Sequence, residues 1–388
     1  MIKLNLTKLM RKKLKSNRKL FYPVASPHIT KKDINIVNRA LKNRWISSDG
    51  PEIKKFEKNF SHFIDNKYSV AVSSGTAALE IAVKALGIKK NDEILIPNFT
   101  IISNALAVIK QRAKPILVDC NLQDWNIEIK DIEKNISKKT KAIIVTHIYS
   151  FPNKMDKILK ICKKHNLFLI EDASEVLGIN YKNKMCGSFG DISTFSFYAN
   201  KQLTTGEGGM LSMNNFKIYE KCKSLRNLCF GKINRFNHND IGWNYRMTNI
   251  QAALGLSQLK NIKHVVKKKM EIGNYYYKKL NQNSNLQILP PSNKFSKNIY
   301  WVVGIVIRKN KMTAAMLSKK LAEYGIKTRP FFWPMHEQYV FKKMKIFKNK
   351  KFPNSSYLAR YGLYLPSYFR LKKNDINYIS AVINKVLK

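Results

Sequence analysis

Lys201 is the residue of this sequence whose neighbours best suit a reactive amine. It stands between an apolar run that ends near Phe197 and the glycine cluster Gly206-Glu-Gly-Gly209. A lysine withdrawn from water loses affinity for its proton, and the neutral amine can form a Schiff base with an aldehyde. Because the chain holds 71 lysines and arginines, a solvated lysine beside a glycine turn is the alternative interpretation.

Asp172 is a candidate partner for a cationic group. It lies just past the apolar stretch Leu167–Ile170, at the predicted end of a strand. A carboxylate that is buried there needs a cationic partner, such as a protonated ring nitrogen, to offset its lost hydration. An aspartate that caps the following turn is the simpler alternative.

The segment Ser73-Ser-Gly-Thr-Ala-Ala-Leu79 has the pattern of a phosphate-binding site. It follows a short apolar strand and opens a helix that runs to about Leu86, so Gly75 and Thr76 lie at the helix N-terminus. Free N–H groups and the positive end of the helix dipole favour an anion at such a position. An ordinary helix cap by serine or threonine would leave the same pattern.

Two irregular segments in the second half of the chain are candidate binding loops. Residues Gly231–Asn249 are rich in Asn, Gly and aromatic residues, and loops of this length in compact domains tend to be functional. In Thr328–Gln338, Arg329 and His336 flank an aromatic, proline-stiffened loop that suits a ligand with an anion and a ring. For His336, a packed or surface histidine is an equally good interpretation.

Strands and helices alternate from residue 68 onward, which predicts a mostly parallel sheet with helices on both faces. Ligands of such sheets bind beyond the carboxyl ends of the strands, where Asp172 and Lys201 are predicted to lie. A strand over Tyr300–Arg308 and a helix over Ala314–Tyr324 are predicted near the C-terminus. The other predicted elements are helices over Lys31–Leu41, Glu52–Ile64, Thr100–Lys110, Met155–His165, Asn249–Ile262 and 265–280, and strands over Tyr68–Val72, Ile94–Pro97, Pro115–Asp119, Ala142–His147, Leu167–Ile170, Ile192–Phe197 and Met210–Met213.

The composition indicates a globular protein, since 44% of its 388 residues are hydrophobic. The predicted organisation is a basic tail over 1–21, a large domain over 22–265 and a small domain over 266–388. Five cysteines without CxxC pairing predict reduced thiols in a cytoplasmic protein without a metal site. No apolar run approaches the ~20 residues of a membrane span. For the tail, a transit peptide and a basic helix on a membrane surface are alternatives to a loosely ordered segment.

The net charge of +46 allows three interpretations. A nucleic-acid-binding protein would use the charge on phosphates, and an enzyme for anionic nucleotide substrates would need only a local part of it. The third interpretation is compositional drift toward lysine. Because the lysines are spread over the whole chain, drift is favoured, and no specific nucleic-acid partner is predicted.

Four segments together resemble the DegT/StrS sugar-nucleotide aminotransferases, from about residue 22 to the end of the chain. The family has the fold-type-I architecture of pyridoxal phosphate (PLP) enzymes. The resemblance therefore implies an α/β fold with a mostly parallel central sheet covered by helices, and a smaller C-terminal α+β domain. The four segments are Ser73–Leu79, Ile170-Glu-Asp-Ala-Ser174, Phe195–Gly209 and Gly242-Trp-Asn-Tyr-Arg-Met-Thr-Asn-Ile-Gln-Ala-Ala253.

The resemblance also implies a role for each matching residue. Lys201 is similar to the lysine that binds the PLP aldehyde and then moves the proton between carbon centres, and Asp172 to the partner of the pyridine nitrogen. Asn244 matches a residue that reaches the phosphate in the neighbouring subunit, which implies a homodimer. Arg329 and His336 are the predicted substrate contacts. The remaining predicted cofactor contacts are Gly75, Thr76 and Ser196 at the phosphate, Phe99 on the ring face and Glu175 near the 3-hydroxyl.

The activity implied is transfer of the amino group of L-glutamate to the 4-keto carbon of a nucleotide-linked 4-keto-6-deoxy sugar. The GDP-linked 4-keto-6-deoxymannose is the favoured substrate, and a UDP- or dTDP-linked keto sugar is the alternative. A sugar dehydratase of the same fold would carry histidine at position 201, so Lys201 disfavours it. Two departures from the family pattern are Ser150, where glycine is expected, and the acidic Glu175 in place of glutamine or histidine.

Overall fold

The computed structural model describes residues 21–149, 151–231, 233–308, 312–347 and 350–388. Ser150 and all but the last residue of the predicted basic tail lie outside the described residues. Within these ranges, no helix combines the length and apolarity that a bilayer crossing requires.

A seven-stranded sheet forms the centre of the first two thirds of the chain. Its strand order is β1-β9-β8-β5-β4-β2-β3, and β9 runs antiparallel to both of its neighbours while the other pairs are parallel. The mostly parallel sheet predicted from the sequence is thereby confirmed. The strands of this region are Tyr68–Val72 (β1), Glu93–Pro97 (β2), Lys114–Val118 (β3), Thr140–Thr146 (β4), Phe168–Asp172 (β5), Asn180–Tyr181 (β6), Lys184–Met185 (β7), Ile192–Ser196 (β8) and Gly209–Met213 (β9).

Helices cover both faces of this sheet, and a separate apolar core fills the space on each side. The inner strands are apolar on both faces because both faces are covered. In β2, for example, Leu95 belongs to one core while Ile94 and Ile96 belong to the other. The helices between these strands are Gly75–Ala85, Ser103–Lys110, Ile129–Lys134 and Met155–His165, and Phe216–Arg226 follows β9.

The register of the parallel strands aligns their carboxyl ends. Thr146 at the end of β4 pairs with Asp172 at the end of β5, and Asp172 pairs with Thr194 near the end of β8. Asp172 is thus the last residue of its strand, which extends two residues beyond the prediction. Between Asp172 and Lys201 the chain makes the β6–β7 hairpin and β8, so both residues reach the same edge of the sheet.

One helix over Asn249–Leu280 replaces the two helices predicted in this region. The side chain of Thr248 accepts from the Gln251 N–H, and the side chain of Gln251 accepts from the Thr248 N–H, which fixes the start of the helix. At 32 residues it is about 48 Å long. The predicted domain boundary at 265/266 falls inside it. The helix packs against Lys31–Lys42, Pro51–Ile64 and the C-terminal helix.

The C-terminal part of the chain contains a second, antiparallel sheet in the order β10-β11-β13-β12. Its strands are Leu286–Ile288 (β10), Val303–Ile307 (β11), Arg329–Pro330 (β12) and Gly362–Leu365 (β13). The predicted strand over Tyr300–Arg308 begins only at Val303, because Tyr300 has a left-handed φ of 48° that ends extended pairing there. The helices are Ala314–Glu323, Tyr339–Lys343, Pro353–Tyr361 and Lys373–Val386, with a 3₁₀ turn over Met335–Glu337.

Candidate active site

The Lys201 side chain lies at the carboxyl edge of the large sheet and is largely withdrawn from solvent, with 11% of its surface exposed. Its Nζ is 3.8 Å from a carboxylate oxygen of Glu175 and 3.5 Å from the ring centre of Trp301. Burial lowers the pKa of the Lys201 amine, and the negative charges of Glu175 and Asp172 partly oppose that shift. The structure therefore supports a reactive amine at Lys201 and not a solvated surface lysine.

The carboxyl group of Glu175 is buried beside Lys201. Burial raises its pKa to about 7, although Lys201 and the Tyr149 N–H both favour the charged form. That N–H donates to the second carboxylate oxygen over 2.7 Å, from a Tyr149 backbone with a left-handed φ of 56°. Burial thus raises the pKa of Glu175 and lowers the pKa of Lys201, which suits a site that moves protons.

Asp172 presents a buried carboxylate to the same edge. One oxygen accepts the Ser174 N–H over 3.2 Å, and the other lies 3.4 Å from the Thr146 hydroxyl. Both donors are neutral, so the residue retains the capacity to pair with a cation. A protonated pyridine nitrogen fits that requirement, and Lys201 is near enough for Asp172 to influence its pKa.

The predicted phosphate cradle forms where the helix Gly75–Ala85 begins. The Ser74 side chain caps the helix by accepting the Ala77 N–H over 3.1 Å. A Cβ added to Gly75 would lie 2.8 Å from Cβ of Ser196, so the strand β8 and the helix approach too closely for any larger residue. The Thr76 hydroxyl is 2.8 Å from that of Ser103. Gly75, Thr76 and Ser196 are therefore adjacent to a helix N-terminus, as an anion site requires.

Phe99 follows β2 and is fully buried in an aromatic cluster. Its ring contacts Tyr149 edge-on at 6.0 Å between centres and also packs near Phe331 and Phe332. The Tyr149 hydroxyl accepts the Phe332 N–H over 2.8 Å. This cluster joins the loop around 331 to the edge of the large sheet.

Arg329 and His336 differ in their surroundings, although both belong to the predicted substrate loop. Arg329 is exposed on β12, beside Tyr364, and its charge opposes the burial that raises the pKa of the Tyr364 hydroxyl. Glu175 acts on the same hydroxyl, which places Arg329 near the Lys201 edge. His336 packs against Phe352, and its Nδ1 is 3.0 Å from the Asn98 amide nitrogen.

Asn244 is exposed, in contrast to the buried residues around Lys201. Its backbone pairs with Asn227, and the flanking rings of Trp243 and Tyr245 stack at 5.4 Å. The next residue accepts the Ser73 N–H over 2.8 Å, so this segment runs along the start of the phosphate cradle.

Two residues of this edge, Trp301 and Glu171, are not among the predicted site residues. Trp301 was placed within a strand, so the sequence offered no signal that its ring would lie over Lys201. Glu171 was read only as part of the motif, yet it accepts from Ser193, from the N–H groups of Gly187 and Phe189 and from the ring of His147. A charged residue within an otherwise apolar strand was the available signal for Glu171.

This architecture and this edge define the class of α/β transferases that use PLP. The sequence profile described as the DegT/DnrJ/EryC1/StrS aminotransferase family matches residues 27–384, and the chain belongs to that family. It is an aminotransferase, and its cofactor is PLP, which supplies the electron sink of transamination. Lys201, Asp172 and the Gly75 cradle are the residues that would hold it.

The relatives agree with this assignment. A GDP-perosamine synthase of Escherichia coli O157:H7 is 40% identical over 94% of this chain and 98% of its own. A GDP-perosamine synthase of Vibrio cholerae is 33% identical over 93% of this chain and 98% of its own. Among solved structures, Helicobacter pylori PseC, an aminotransferase involved in the biosynthesis of pseudoaminic acid, has a TM-score of 0.88 and 25% identity, covering 95% of this chain and 99% of its own.

Proposed function

We propose that this enzyme transfers the amino group of L-glutamate to C4 of GDP-4-keto-6-deoxymannose, which yields GDP-perosamine and 2-oxoglutarate. The identity of 40% to a GDP-perosamine synthase over nearly the full length of both chains is the observation that carries the choice of sugar. Such a product would serve O-antigen synthesis for lipopolysaccharide, in the cytoplasm.

The residues at the carboxyl edge of the large sheet have different roles in this reaction. The Gly75, Thr76 and Ser196 cradle would bind the cofactor phosphate, Phe99 would lie against the ring and Asp172 would pair with the ring nitrogen. Lys201 holds the aldehyde and then accepts and returns the proton that moves between the two carbon centres. Burial of the Lys201 amine lowers its pKa, which favours the neutral form that reacts with the aldehyde and accepts the proton.

A panel of nucleotide sugars tests the substrate. The protein is incubated with L-glutamate and with GDP-, UDP- or dTDP-linked 4-keto-6-deoxy sugars, and 2-oxoglutarate and the amino sugar are measured. We expect amination of the GDP-linked sugar at a kcat/KM at least tenfold above the others. Preferred amination of a UDP- or dTDP-linked sugar would contradict the GDP assignment and support the alternative substrate class. The Lys201→Ala variant should be colourless with PLP and inactive on every sugar.

The homodimer has its own test, because Asn244 is exposed and is proposed to serve the site of a second copy. Lys201→Ala and Asn244→Ala are each expected to be impaired. When the two variants are mixed and allowed to exchange subunits, about a quarter of the sites carry neither defect and activity should return to that level. If the mixture stays as inactive as its components, Asn244 acts within its own chain or not at all.

A further inference from the structure

Trp301 contacts two consecutive residues at the centre of the site, from a position 101 residues further along the chain. Its ring centre lies 3.5 Å from the Lys201 Nζ, and its Nε1–H donates to the Asn200 carbonyl over 3.0 Å. Only 5% of the Trp301 surface is exposed, so both contacts are made away from bulk water.

The backbone and the surrounding rings fix the position of this indole. The preceding residue, Tyr300, has a left-handed φ of 48°, a conformation that a bulky residue adopts only where its surroundings enforce it. The ring of Tyr300 occupies the space above Gly273, where an added Cβ would lie 2.1 Å from it. The ring of Tyr149 stacks on that of Trp301, with 6.0 Å between the ring centres and 24° between the ring planes.

The charges around Lys201 come from three elements. Glu175 and Asp172, from the end of β5, bear on Lys201 from one side. Lys269, from the long helix, and His28, before the first helix, line a cavity of about 40 Å³ that Lys201 and Trp301 also line. Burial lowers the pKa of Lys269 to about 7, and burial also lowers that of His28. Neither group therefore places a full positive charge beside Lys201 above neutral pH.

We propose that Trp301 is a positioning residue for Lys201, whose ring face stabilises the ammonium form of the amine and holds it next to Glu175. The negative face of an indole attracts a cation and has no comparable attraction for a neutral amine. Removing the ring therefore leaves the buried amine less basic. This inference rests on the proposed role of Lys201 as the group that holds and moves the proton.

The test uses the pH dependence of PLP capture by the full-length, cofactor-free protein, followed by the appearance of the yellow colour. Only the neutral amine attacks the aldehyde, so the capture rate rises through the pKa of Lys201. We expect the midpoint of this rise to be about one pH unit lower in Trp301→Leu than in the wild type. Below both midpoints, Trp301→Leu should then capture PLP about tenfold faster.

Trp301→Phe separates the ring from its N–H group. Phe keeps a weaker aromatic face and loses the bond to Asn200, so its midpoint should lie between those of the wild type and Trp301→Leu. Trp125→Leu is the matched control, because Trp125 is buried in the same aromatic cluster and contacts Tyr149 at 6.3 Å. Its midpoint should equal that of the wild type.

Three results would overturn the assignment: a wild-type midpoint in Trp301→Leu, a shift in Trp301→Phe as large as in Trp301→Leu, or an equal shift in Trp125→Leu. If Trp301→Leu does not fold, Trp301→Phe decides, since a lowered midpoint supports the proposal and an unchanged one refutes it. Capture of PLP by Lys201→Ala at the wild-type rate would instead refute the proposed role of Lys201.

Discussion

The Lys201 amine lies 3.8 Å from the Glu175 carboxylate, and burial shifts the pKa values of the two groups toward each other. The pKa of Glu175 is raised to about 7, while that of Lys201 is lowered. These opposite shifts reduce the free-energy difference between the two protonation arrangements of the pair. This property distinguishes Lys201 from the many surface lysines of the chain.

The raised pKa of Glu175 predicts a pH-dependent effect of Glu175→Gln on stability. The folded protein binds this proton more tightly than the unfolded chain, so the stabilisation is complete below about pH 4.5 and is lost as the pH rises through about 7. Gln cannot ionise and can still accept the Tyr149 N–H. We expect the variant to be close to the wild type at pH 4.5 and to be more stable at pH 8 by about 3 kcal/mol. Urea unfolding at the two pH values measures the difference.

A matched control is Glu133→Gln, since Glu133 forms exposed contacts with Lys164 and His165. It should not gain stability between pH 4.5 and 8. A Glu175→Gln variant whose stability tracks the wild type at both pH values would show that Glu175 is not protonated near neutral pH.

Asp172→Asn is expected to remove activity without unfolding the protein. Asn can still accept the Ser174 N–H, but it has no charge to pair with the pyridine nitrogen. We expect kcat/KM to fall at least a hundredfold, about 3 kcal/mol of lost transition-state stabilisation, with a melting temperature near that of the wild type. A variant with kcat/KM within fivefold of the wild type would contradict the assigned role.

For Glu171, the residue before Asp172 in the chain, we expect a substitution to reduce the stability of the protein. Glu171 is fully buried, and the hydrogen bonds it accepts from His147 and from backbone N–H groups lower its pKa despite the opposing effect of burial. Glu171→Gln cannot accept all of these bonds, and we expect a loss of 2–3 kcal/mol in the free energy of unfolding, that is, roughly the cost of unsatisfied buried donors. Stability equal to the wild type in chemical unfolding would show that the network is dispensable.

The close approach of Gly75 and Ser196 is open to a double-mutant test. The Cβ of Gly75→Ala would lie 2.8 Å from the Ser196 Cβ, and we expect a loss of about 1–3 kcal/mol in stability and weaker PLP binding. Ser196→Gly removes the contacted atoms. In the double variant the stability should recover in part while PLP binding stays weak, since the Ser196 hydroxyl is gone. Additive losses of stability in the double variant would place the conflict elsewhere.

Local patterns in the sequence were sufficient to predict the sheet, and they placed the strand ends to within two residues. Apolar runs of four or five residues followed by Gly75 or Asp172 have few structural alternatives in an α/β chain. The single helix over Asn249–Leu280 was predicted as two helices because Lys263 and His264, two consecutive polar residues near its middle, interrupt the apolar pattern. Packing against three other helices, which the sequence does not show, continues the helix through these two residues.

The residues of the site that come from distant parts of the chain were harder to predict. The ring of Trp301 lies over Lys201 directly after the left-handed backbone of Tyr300, and no motif marks that conformation. For His336, the sequence did not show which residue it contacts. Its spacing from Arg329 suggested a shared role, but its partner Asn98 lies 238 residues away and could not be foreseen.

The two residues of the predicted substrate loop should therefore respond differently to substitution. Arg329 is exposed and hydrogen-bonds with Tyr364, and its guanidinium has further N–H groups for an anionic ligand. Arg329→Gln is therefore expected to raise KM for the nucleotide sugar about tenfold, at little cost in stability. His336 is held by Asn98 and Phe352, so His336→Ala should lose about 1–2 kcal/mol in stability while KM changes less than twofold. Initial rates over a range of sugar concentrations and urea unfolding separate these effects. The loss of a packed side chain lowers stability. A tenfold rise in KM for His336→Ala with unchanged stability would therefore show that His336 contacts the substrate and is not a packing residue.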